Sequence, residues 1–130
     1  MTIKKHLMPF TLILFFAFQV NAATLTQKQE EVYAKEVEDK VPVFAEDCVA
    51  SSELIEDYHQ CILSHFRNLV VKGNTMGSIA IIGYLLEIGR DNEAYDWYVY
   101  AVNSNLSKSS KIALKFQFTT LAKKFKSNNP

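Results

Sequence analysis

Apolar residues recur along this chain at steps of three and four, and β-branched residues do not alternate with polar ones in long runs, which predicts helices rather than strands. The first predicted helix covers Thr26 to Lys40, with Thr26 as N-cap and thin apolar content in Val32, Tyr33 and Val37. Pro42 is expected to end it, and Pro42 to Val49 to form a short second turn or helix closing at Cys48. A helix from Ser52 to Val71 follows, with a core stripe of Leu54, Tyr58, Cys61, Ile62, His65, Phe66 and Leu69. Gly73 is its expected C-cap, and Asn74 or Thr75 caps the next helix.

Met76 to Ile88 is apolar nearly all round, with no charge before Glu87, so this helix should be buried between neighbours. Its small residues Gly77, Ser78, Ala80 and Gly83 are expected to let other helices approach closely. After Gly89, Asp91 or Asn92 should cap a helix from Glu93 to Asn103, with Ala94, Tyr98, Ala101 and Val102 facing inward, Trp97 at the edge and Tyr100 pointing away. Ser107 should cap a last helix, Lys108 to Lys126, whose inner stripe is Leu114, Phe118, Leu121 and Phe125. Ile112 and Phe116 fall on its opposite side and need a second packing surface or a partner. Trp97, Tyr100, Ile112 and Phe116 are therefore the candidate partner-binding residues. Ser127 to Pro130 reads as a disordered tail.

Residues 1–22 read as a secretory signal peptide: Lys4 and Lys5 precede the apolar run Leu7 to Phe18, and Val20-Asn21-Ala22 suits a signal peptidase. The run is about half of the roughly 20 residues a spanning helix requires. Cleavage is expected after Ala22, leaving one helical domain over 23–126 in the periplasm or outside the cell. That domain carries 12 basic and 14 acidic residues, a formal net charge of −2. Residues 23–61 hold ten acids and three Lys, whereas from residue 105 onward there are six Lys and no acid. This asymmetry suits an acidic front packed near a basic back, or a basic last helix lying on an acidic partner or membrane surface. Nucleic-acid binding is not expected at this charge.

Export bears on the two cysteines, Cys48 and Cys61, since an even pair in an oxidising compartment reads as a disulfide. One continuous helix would hold them about 19–20 Å apart. A disulfide requires Cα atoms within about 7 Å, so the chain must reverse, and Ala50-Ser51-Ser52 is the expected turn.

The stretch Ile82 to Val102, IGYLLEIGRDNEAYDWYVYAV, resembles one unit of the tetratricopeptide superfamily, closest to its Sel-like variant, over about residues 76–103. Gly83 resembles the first-helix glycine, Gly89 stands at the turn, and Ala94, Trp97-Tyr98 and Ala101 resemble the small, aromatic and small positions of the second helix. Leu86 stands where that family usually has Tyr. The resemblance implies an all-α, tetratricopeptide-like bundle of antiparallel helical hairpins, here with one disulfide, and binding of peptides or proteins rather than catalysis.

Common catalytic signatures are missing, so no catalytic residue, metal ligand or cofactor is assigned. One constellation competes with that reading: Asp57, Cys61 and His65, spaced by four on one helix face with His59 nearby, suit a metal site or an activated thiol. The preferred alternative puts Cys61 in the disulfide and packs His65 on the apolar stripe. Asn105-Leu106-Ser107 fits a glycosylation sequon, but reads better as a loop and helix cap. The expected function is an exported protein-binding domain, of immunity/inhibitor or envelope accessory type, with the acids Glu46, Asp47, Glu53, Glu56 and Asp57 able to steer a basic partner.

Overall fold

The computed structural model describes the backbone of residues 23–128; the proposed signal peptide and residues 129 and 130 lie outside it. Among these residues five helices follow one another: α1 (Gln27–Ser51), α2 (Ile55–Val71), α3 (Met76–Glu87), α4 (Asp91–Val102) and α5 (Lys108–Asn128). No strand occurs among the described residues, and the all-α bundle expected from the sequence is what forms.

α1 begins at a capping box. The Thr26 hydroxyl accepts from the Gln29 backbone N–H at 3.1 Å, and the Gln29 side chain accepts from the Thr26 N–H at 2.8 Å. Pro42 does not end the helix as expected; α1 runs straight through it to Ser51. A proline inside a helix removes one hydrogen bond and crowds the carbonyl four residues back. Here Pro42 and Glu38 are both exposed, so the freed carbonyl lies on the watered side. Val37, Phe44 and Cys48 are buried on the other face and hold both halves of the helix against the core. The segment read as thin in apolar content is thus the longest helix among the described residues.

α2 buries Ile62, Leu63, Phe66 and Leu69, but Leu54, expected in that stripe, precedes the helix and is exposed. Gly73 adopts φ +108° and Gly89 φ +81°, the left-handed conformation a helix-ending turn requires. After Gly73, Thr75 holds the cap position of α3 without a side-chain cap hydrogen bond, and Asn74, one residue earlier, accepts the Met76 N–H through Oδ1 at 3.0 Å. Its amide also donates to Tyr33 O (3.1 Å) and Glu36 Oε1 (2.6 Å), which ties this turn to α1. At the start of α4 Asp91 is the first helical residue rather than a cap, and Arg90 occupies the cap position.

α3 is the centre of the bundle: it packs against α1, α2 and α4, with Ser78, Ile81, Ile82 and Leu85 buried. The expected close approach occurs at Gly77, where an added Cβ would lie 3.0 Å from Val70 Cγ2 and 3.1 Å from the Phe66 carbonyl oxygen. It does not occur at Gly83, which is exposed with nothing within 4 Å of that position.

Among the described residues α5 packs its length against α4 and touches α1 at its first turn, where Ser110 meets Glu30. Phe118 stacks on Tyr98 with ring centroids 4.3 Å apart, and Tyr95 meets it edge-on at 6.2 Å. Leu114 is buried beside this seam; the Phe125 side chain lies outside the described set. Ser107 caps α5 as expected, its hydroxyl accepting from the Ser110 N–H at 3.2 Å. The helix continues to Asn128, two residues into the expected tail.

Candidate functional site

The reversal between α1 and α2 lays the two helices side by side and closes the disulfide. Cys48 and Cys61 are bonded with their Cα atoms 5.6 Å apart, and the turn at Ser52 to Leu54 falls almost where the sequence reading placed it. No cysteine is free.

Antiparallel pairing at 48 and 61 carries its neighbours with it. One turn before Cys48 stands Phe44; one turn after Cys61 stands His65; their rings stack 4.4 Å apart and nearly parallel, at 7°. His65 Nε2 then donates to Asp47 Oδ2 at 2.9 Å. His65 therefore packs on the apolar stripe as preferred, but with a polar handle directed at α1. Asp47 Oδ, the two sulfurs and the His65 ring nitrogen all lie within 4.8 Å of one another. Asp57, the carboxylate that spacing along one helix selected, is exposed and not part of this cluster. The antiparallel register offers the signal that intra-helix spacing missed, because Asp47 precedes Cys48 and so faces the segment after Cys61.

A second polar group lies nearer the start of α2. His59 Nδ1 and the Tyr84 hydroxyl are 2.7 Å apart. Glu56 accepts from Gln60 at 3.0 Å and pairs with Arg90, joining α2 to the α3–α4 turn. The Gln60 and Arg90 hydrogen bonds hold the Glu56 carboxyl below its ordinary pKa. Burial, with Tyr58 nearby, raises the Tyr84 hydroxyl against a smaller opposing effect of Arg90. Of the acids proposed to steer a basic partner, Asp47 and Glu56 are thus engaged within the fold, and Glu46, Glu53 and Asp57 are exposed.

Sequence reasoning also missed Glu30. It is 7% exposed on α1 and accepts from the Ser107 N–H (2.6 Å), the Ser107 hydroxyl (2.7 Å) and the Ser110 hydroxyl (2.8 Å). A carboxylate is thereby placed at the N-terminus of α5, where unpaired N–H groups and the helix dipole favour negative charge. Burial works to raise its pKa, but the three hydrogen bonds from Ser107 and Ser110 outweigh it and the carboxyl ends below its ordinary value. The same end of the bundle holds Asn105, whose side chain accepts from Thr75 (3.0 Å) and whose carbonyl accepts from Leu25 N–H (2.8 Å). The Asn105-Leu106-Ser107 segment is thus the loop and cap that the sequence reading preferred.

The four candidate partner-binding residues do not form one patch. Tyr95 and Tyr98 mark the side of α4 that meets α5, and at about 100° per residue Tyr100 lies close to the opposite side. Trp97 is half-buried and meets Tyr100 edge-on at 5.3 Å. On α5, Ile112 and Phe116 are 58% and 73% exposed, far more open than Tyr100 at 44%. Lys108, Lys115 and Lys123, all exposed, lie around them on the outward side.

No known protein family, curated protein or solved structure matches the chain. No helix among the described residues is long and apolar enough to cross a membrane.

Proposed function

We propose that this chain is an exported, disulfide-stapled helical domain that binds another protein, with the outward side of α5 as its contact surface. The exposure of Ile112 and Phe116 on a helix whose described packing is against α4, with Glu30 of α1 at its first turn, carries this reading. Large apolar side chains adjacent on one helix face, framed by charges, mark contact sites more often than isolated surface hydrophobics do. The lysines at 108, 115 and 123 favour a partner that is acidic around an apolar groove. Immunity-type inhibition or an envelope accessory role are the concrete forms of this reading.

The resemblance to a Sel-like unit points the same way. Its two helices correspond to α3 and α4, which form a hairpin across Gly89 with Ala94 and Ala101 fully buried. Gly83, the counterpart of the first-helix glycine in that resemblance, is open to solvent.

A photo-crosslinking phenylalanine analogue at position 116, in cells exporting the chain, tests the proposal. One adduct of defined mass is expected, absent when the analogue stands at Val32 on α1. Equal labelling from both positions, or none from 116, argues against it. The second reading, an anionic membrane surface as the partner of α5, rests on the same lysine-framed apolar side. Co-flotation of the mature domain with anionic but not neutral vesicles selects it.

A further inference from the structure

We infer that reduction of the Cys48–Cys61 bond converts its surroundings into a tetrahedral zinc site made of Cys48, Cys61, His65 and Asp47.

The donor set comes from both helices of one hairpin. Two thiolates, an imidazole and a carboxylate are a ligand set for a divalent ion of zinc type. With metal–ligand distances of about 2.3 Å for sulfur and about 2.0–2.2 Å for nitrogen and oxygen, donors around zinc stand roughly 3.3–3.8 Å apart. The four donor atoms here already lie within 4.8 Å of one another. The main change required is separation of the sulfurs, and their Cα atoms, 5.6 Å apart, leave the side chains room to rotate without moving either helix.

His65 and Asp47 are placed to receive an ion between them. Nε2 and Oδ2 are 2.9 Å apart, so a metal that replaces their hydrogen bond parts them by only a few tenths of an ångström. Stacking on Phe44 fixes the plane of the imidazole, a restraint that a hydrogen-bonding partner supplies at many metal sites. Cys48 is fully buried while Cys61, His65 and Asp47 are not, which gives the ion an approach from solvent.

The chemistry balances with a dithiol as reductant. Its two thiols become a disulfide, the Cys48–Cys61 bond takes up the two electrons and two protons, and both protons leave as the thiolates bind the ion. In an oxidising compartment the crosslink holds α1 to α2; in a reducing one the metal does. This inference is independent of the reading of α5 as a contact surface.

The test is a Co²⁺ titration of the mature chain, oxidised and phosphine-reduced under inert gas, with helix content followed by circular dichroism. The reduced chain is expected to bind one equivalent, with near-ultraviolet thiolate charge-transfer bands and visible bands of a tetrahedral ion that vanish on adding Zn²⁺. The oxidised chain should show neither. Cys48→Ser should abolish the spectrum, and His65→Ala and Asp47→Ala should each weaken binding by about tenfold or more. Affinity unaffected by both His65→Ala and Asp47→Ala would reduce the site to a bare thiol pair and overturn the inference. Equal binding by oxidised and reduced chains would overturn it too, as would a reduced chain that loses its helices and does not regain them with the ion.

Discussion

α3 and α5 both carry apolar side chains on more than one side, and the molecule treats them in opposite ways. α3 lies between α1, α2 and α4, and Ile81, Ile82 and Leu85 are almost fully removed from water. Among the described residues α5 leans on α4, with one further contact to Glu30 of α1 at its first turn; it covers Leu114 and Phe118 and leaves Ile112 and Phe116 in solvent. Apolar composition alone therefore does not separate core from contact surface. What separates them is how many neighbours the chain supplies. Among the described residues α5 is held by the aromatic seam with α4 and by the Glu30 carboxylate at its N-terminus.

Single substitutions test this contrast. The largest effect is expected at Ile81, where Ile81→Ala should remove about 3–4 kcal/mol and lower the midpoint of one cooperative urea transition. Phe118→Ala should remove about 3 kcal/mol, with faster amide exchange confined first to α5, the helix that loses its main packing surface. Uniform exchange across α3 and α5 would show that the two are equally well held.

The Glu30 contact comes next. Glu30→Gln keeps the shape but weakens three charge-assisted hydrogen bonds, and about 1.5–3 kcal/mol should be lost at neutral pH. The pH dependence has a definite sign. The folded carboxyl titrates below its unfolded value of about 4.3, so the contribution is complete above that value and fades as pH falls through the folded pKa. The wild type should lose stability over that acid range more steeply than Glu30→Gln.

The smallest effects compare two glycines of α3. Gly77→Ala pushes a methyl against the Phe66 carbonyl and the Val70 side chain, and should destabilise by about 1–2 kcal/mol. Gly83→Ala meets nothing and should stabilise by about 0.5–1 kcal/mol. Thermal midpoints moving in opposite directions would establish that the close approach in α3 lies at its first turn only.

Much of this was legible in the chain because it is local. Helical period, the Thr26 and Ser107 caps and the turns at Gly73 and Gly89 depend on neighbouring residues. The cysteine pair became legible by combining its spacing with the expectation of export. What depends on register was not legible. Pro42 was read as a stop because the buried residues holding both halves of α1 are identified only by their contacts with other helices. Spacing along one helix points to Asp57, whereas Asp47 enters the cluster only through the alignment of two antiparallel helices. Glu30 looked like one more acid on a polar helix, since its partners stand 77 and 80 residues further along.

The account stands most directly on the doubly substituted chain Ile112→Ser/Phe116→Ser, read by its unfolding midpoint and by crosslinking from a photoreactive probe at Thr120, which shares the outward side of α5. A stability within about 0.5 kcal/mol of the parent, together with loss of the adduct, is the predicted result. A fall as large as that of Phe118→Ala, with the adduct retained, would contradict it and make that side of α5 a structural surface rather than a place of contact.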